Sequence, residues 1–187
     1  ESVRFTFDER ISERAIGGTL DGAVLVSPRT GEVRVEHSRG ALEVSLAGGF
    51  RPATVYRVTL LPVVSDLFGN QIREPFELVF STGAELVPSA VAGLAWDRAT
   101  GRGLDGLSVV ARDTRDSTVY VARTDTAGIY AFRYLPPGPY QVTAFEDRNA
   151  DEAVDPMEVQ GTRLIQITGA DTIVAEIGVL EPDTTAA

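Results

Sequence analysis

Residues 124–145 read TDTAGIYAFRYLPPGPYQVTAF, and this stretch decides the fold class. Asp125-Thr126-Ala127-Gly128 supplies what a tight turn needs, short polar side chains that bond neighbouring amides and a glycine that accepts positive φ. Ile129 to Arg133 and Tyr140 to Phe145 are short runs rich in aromatic and β-branched residues, and Pro136, Pro137, Gly138 and Pro139 lie between them. Strand-length runs punctuated by turn residues in this way read as β structure.

Downstream of that stretch the strand-like run ends in Ala144 to Glu158, AFEDRNADEAVDPME, where six carboxylates face one cation, Arg148. Clustered acids repel one another unless a positive charge sits among them, so this is either a solvated acidic turn or a cation loop. Counted from Asp147, oxygen side chains fall at positions one (Asp147), three (Asn149), five (Asp151), nine (Asp155) and twelve (Glu158), with the Ala153 carbonyl at seven. That is the ligand spacing of a twelve-residue calcium loop. It departs from the EF-hand pattern at position six, where Glu152 stands in place of glycine. No flanking helix is evident, and Pro156 falls inside the loop. The expectation is a structural Ca2+ site within a β domain, tying the strand that ends at Phe145 to the segment after Glu158.

The same punctuation runs through the rest of the chain. Strands are expected at Val3 to Phe7, Ala23 to Val26, Val33 to Val35, Leu42 to Leu46, Val55 to Leu60 and Phe76 to Phe80. A further set is expected at Ala92 to Asp97, Leu107 to Asp113, Val119 to Arg123, Arg163 to Ile167 and Thr172 to Val179. No long segment places apolar residues at helical spacing. Ala84 to Ser89, with Pro88, reads as a linker. The chain is therefore expected to be all-β, two tandem β-sandwiches, over residues 1–83 and 90–180, with a linker at 84–89 and a linker-like tail at 181–187.

Of 187 residues, 27 are acidic and 17 are Lys or Arg, a net charge of −10. Residues 1–83 hold 11 acids and 9 Arg, and residues 84–187 hold 16 acids and 8 Arg, so the second half carries −8. Nucleic acid and anionic membranes are poor partners for such a chain. No cysteine is present, which removes disulfides, thiolate metal sites and a cysteine nucleophile. Lys is absent, a bias that genomic base composition explains more simply than heat adaptation. This window contains no apolar run long enough to insert in a bilayer.

Phe5-Thr6-Phe7-Asp8-Glu9, Pro52 to Leu60, Asp66 to Asn70 and Phe80-Ser81-Thr82-Gly83 together resemble the bacterial Ig-like domain of surface and S-layer proteins. That resemblance implies an Ig-like sandwich over residues 1–83, lacking the strand with which such domains usually open. Two readings of the gap stand: a chain cut inside a longer protein, or a strand donated by a neighbouring copy. Leu180 to Thr185 resembles the linker leading into a following Ig-like domain. Gly93-Leu94-Ala95-Trp96-Asp97, Thr100-Gly101, Leu104 to Val109, Thr124 to Tyr130 and Leu135 to Val142 resemble the carboxypeptidase regulatory-like domain, a transthyretin-like (prealbumin-like) sandwich. Members are usually noncatalytic modules of secreted or surface proteins, and some relatives bear an Asp-rich calcium loop where Asp147 lies.

Catalytic readings find little here. His37 is the only histidine, no GxSxG elbow accompanies it, and a surface histidine after a strand is the simpler reading. Asp105, Asp113, Asp116 and Asp125 could serve as acid and base in a glycosidase, but turn roles explain them. Trp96, Tyr120, Tyr130, Tyr134 and Tyr140 could form a sugar platform, or be core. The expected function is a noncatalytic extracellular structural module of a bacterial surface protein or filament. Its partners would be neighbouring domains or copies of itself, with a glycan- or protein-binding adhesion module, or an accessory domain of a secreted enzyme, as the alternative.

Overall fold

Alternation of apolar and polar residues allows a strand to bury one face, and two such faces pressed together make a core. The computed structural model describes residues 1–16, 18–148, 153–155 and 158–180. The protein is all-β, and it divides into two compact units, Glu1–Glu85 and Leu86–Ala187.

The first unit holds β1 (Val3–Thr6), β2 (Val24–Ser27), β3 (Val33–Ser38), β4 (Ala41–Leu46), β5 (Val55–Leu60) and β6 (Phe76–Ser81). They form two antiparallel three-stranded sheets, ordered β1-β4-β3 and β2-β5-β6. Between them are buried Phe5, Val24, Val26, Leu42, Val44, Tyr56, Val58 and Leu60. Phe50, Tyr56 and Phe80 pack ring against ring, with centroids 4.9 to 5.6 Å apart. Strands β1 and β6 are sheet edges. On the Phe80 row of β6, the Phe76 ring meets Phe5 of β1 edge-on at 5.9 Å yet is 58% exposed, and Leu78 is 37% exposed. Strand β3 runs on through Ser38, so His37 lies within it rather than beyond its end. Pairing of Glu36, His37 and Ser38 with β4 extends the strand past its apolar run.

The second unit holds β7 (Ala90–Asp97), β8 (Ser108–Asp113), β9 (Val119–Arg123), β10 (Ile129–Arg133), β11 (Gly138–Phe145), β12 (Gln160–Ile167), β13 (Thr172–Val174) and β14 (Ile177–Val179). One sheet is ordered β10-β7-β13, with β14 also on β7, and the other β12-β11-β8-β9. Val91, Val109, Phe132, Leu135, Tyr140, Val142 and Ile167 fill the space between them. Ser89, at the expected linker's end, belongs to this unit: it is buried, and its hydroxyl donates to the Leu135 carbonyl at 2.7 Å.

The expected strand Thr172 to Val179 is broken at Ala175-Glu176. The cause is a core tyrosine, because the buried Tyr130 hydroxyl donates to the Ala175 carbonyl. Gly93 on β7 makes room for that carbonyl, since a Cβ there would lie 2.0 Å from the Ala175 oxygen. The contact joins β7, β10 and the last strand pair across the middle of one sheet.

Candidate functional site

The acidic segment connects β11 to β12, and the Glu146 amide closes its base by donating to the Val159 carbonyl at 2.9 Å. Glu158 is the organising side chain. It is only 5% exposed, and its carboxylate accepts from the Arg148 amide at 2.9 Å and the Asp155 amide at 3.4 Å. The Asp155 carbonyl accepts in turn from the Glu158 amide at 3.1 Å and the Gln160 side-chain amide at 3.0 Å. Arg148 extends to Glu146, its guanidinium donating two bonds of 2.8 and 3.1 Å.

Of the six expected ligands, Asp147, Ala153, Asp155 and Glu158 are described, while Asn149 and Asp151 lie outside the described residues. Among the described residues no three of His, Cys, Asp or Glu converge at metal-binding range. Glu158 links both arms of the loop through backbone amides, a role its spacing does not reveal. The donors the sequence offers, carboxylates, an amide and a carbonyl, are all hard oxygens, the set suited to Ca2+.

Of the other candidate polar residues, His37, Asp113, Asp116 and Asp125 are committed to structure, whereas Asp105 is exposed. His37 Nε2–H donates to the Ile11 carbonyl at 3.3 Å. Asp113 is 4% exposed and grips Arg115 through bonds of 2.6 and 3.0 Å, with the Arg115 amide at 2.8 Å. The guanidinium holds the Asp113 carboxyl below its ordinary range, outweighing the opposite push of burial. Asp125 accepts from the amides of Ala127 and Ile129, and Asp116 from that of Thr118. Asp97 is held below the usual carboxylate range by the Ala99 amide, with Thr100 assisting. Tyr120, Tyr130 and Tyr140 are buried, and burial pushes the Tyr120 phenol up to about 12 and the other two upward as well.

One feature escaped the sequence reading: a cleft of about 650 Å³ at the foot of the acidic loop. Leu104, Leu107, Val159, Val179 and Leu180 give it an apolar lining, and Asp97, Asp105 and Glu146 carry its charge. Four segments far apart in sequence meet there, so no local motif announces it.

With this geometry in place, the second unit can be set beside known families. A carboxypeptidase regulatory-like domain is found in residues 90–168. The matched span runs from β7 through β12 and includes the acidic loop; it covers none of the first unit. Among curated proteins none matches the chain. Solved structures align more loosely. The group B streptococcus pilus 2b backbone protein aligns over 100% of this chain and 86% of its own, at 9% identity and a TM-score of 0.36. The major pilin subunit BcpA of Bacillus cereus aligns over 95% of this chain and 59% of its own, at 12% identity and 0.34. A Pseudomonas aeruginosa protein designated a candidate carbohydrate-binding protein aligns over 50% of this chain and 90% of its own, at 14% identity and 0.38. At these values no function passes from one protein to another.

Proposed function

We propose that the chain is a noncatalytic, extracellular structural module of a bacterial surface protein or surface filament. The observation that carries this reading is the second unit itself. A carboxypeptidase regulatory-like domain packs Tyr120, Tyr130, Phe132 and Tyr140 inward and uses its buried acid, Asp113, to brace a turn. Of the five residues considered for a sugar platform, Tyr120, Tyr130 and Tyr140 are core residues while Trp96 and Tyr134 are half-buried, so most of the set is withdrawn from a glycan, which favours scaffold over glycan binding.

Ca2+ stiffens the module in this reading. Asp147, Asn149, Asp151, Asp155, Glu158 and the Ala153 carbonyl hold it, and it neutralises a loop whose acids otherwise repel. Copies join through the open side of the first unit. Phe76 and Leu78 stand exposed there on an edge strand, and a donated strand would both cover them and pair with the β6 backbone.

Light scattering coupled to size separation tests the assembly, run on the full chain over a hundredfold dilution. Polymers that persist on dilution support strand donation; a compact monomer at every concentration refutes it. Among the described residues no helix is long and apolar enough to cross a membrane.

A further inference from the structure

We propose that the cleft at the foot of the acidic loop binds a cationic side chain, arginine or lysine, presented by a peptide segment of a partner protein. Its volume of about 650 Å³ is that of a small-ligand site. The lining combines two features that only an amphipathic cation satisfies together: an apolar floor from Leu104, Leu107 and Val179, and carboxylates at Asp97, Asp105 and Glu146. An alkyl stem lies on such a floor while its charged head reaches the acids.

The three carboxylates are not equivalent. Asp97 accepts the Ala99 amide at 2.7 Å and is fixed in direction and charge. Glu146 is shared with Arg148 at 2.8 Å, so its charge is partly met. Asp105 is exposed and, among the described residues, makes no hydrogen bond or ion pair, so its carboxylate is open to a ligand in the cleft. No Arg or His belongs to the described lining. With residues 84–187 at −8, the field repels anions and draws cations. A neutral sugar finds no aromatic ring to stack on among the described lining residues.

The experiment is an NMR titration of the ¹⁵N-labelled full chain in chelator and low salt with acetyl-Gly-Arg-Gly-amide. A peptide carrying neutral citrulline in place of arginine and a neutral maltose oligosaccharide serve as controls. Saturable shifts at Leu104, Asp105, Leu107, Val159 and Leu180 are expected, absent with citrulline and weakened by salt. Asp105→Asn is expected to weaken binding about threefold, as loss of one exposed charge partner does, with an unchanged melting curve, because this side chain braces nothing. Equal response to citrulline, response to the oligosaccharide alone, no saturation, or undiminished binding in Asp105→Asn combined with Glu146→Gln would overturn the proposal. Concentration-dependent shifts at the same residues without peptide would make the occupant a second copy and overturn it as well.

Discussion

Replacing Glu158 with Ala removes the acceptor for two backbone N–H groups, those of Arg148 at 2.9 Å and Asp155 at 3.4 Å. A hydrogen bond to a charged acceptor contributes about 1.5–3 kcal/mol, and the longer, weaker contact adds about 0.5 kcal/mol. Against this, the variant no longer buries a carboxylate that is 5% exposed, which returns part of the loss. The net expectation is a destabilisation of about 1–2 kcal/mol, or about 4–16 °C in melting temperature for a unit of this size. Glu158→Gln keeps one oxygen for the Arg148 amide and should lose about half as much. The chain has a single tryptophan, Trp96 in β7, so its fluorescence reports melting of the second unit alone. With chelator present the effect belongs to the protein's own bonds. An Ala variant that melts within about 2 °C of the parent would refute the assignment of Glu158 as the side chain that joins the loop's two arms.

Gly93→Ala should destabilise the second unit by about 1–3 kcal/mol by forcing the Ala175 carbonyl away from a Cβ only 2.0 Å distant, measured by denaturant unfolding. Tyr130→Phe, which deletes the donor to that carbonyl but keeps the ring, should cost about 0.5–1.5 kcal/mol in the same assay. Asp113 has a depressed folded pKa. The stability it contributes is therefore present above the unfolded value near 3.9 and is lost as pH falls through the folded one. Melting curves of Asp113→Asn should lie below the parent at pH 7 and converge with it in strong acid; a constant gap across pH would refute the linkage. Leu78→Lys, on the exposed edge of β6, should abolish polymer formation while leaving the monomer folded, because a charge on that row blocks an added strand.

Strand positions were legible because alternation and turn residues are local signals. Val55 to Leu60 is β5, and Ile129 to Arg133 is β10. What could not be read came from contacts between distant residues. The interruption between β13 and β14 depends on the Tyr130 hydroxyl and on space left by Gly93, 82 positions before Ala175. His37 joined β3 because β4 offers it backbone partners, although Glu36 and Ser38 beside it carry no strand preference. At the candidate site, the acids and their spacing were visible. That Glu158 turns inward to amides was not, since backbone donors leave no mark in a side-chain pattern. The cleft was hidden because Asp97, Asp105, Glu146 and Leu180 are distant in sequence and meet only in the folded unit.

Calorimetric titration of Ca2+ into the metal-stripped full chain tests whether calcium stiffens this structural module. Melting of the second unit is followed in parallel through Trp96, with Asp147→Ala as the control. Saturable binding at about one ion per chain is expected, with a rise in the melting temperature with calcium and loss of both in the variant. No heat and no shift, or binding that survives Asp147→Ala unchanged, would contradict it.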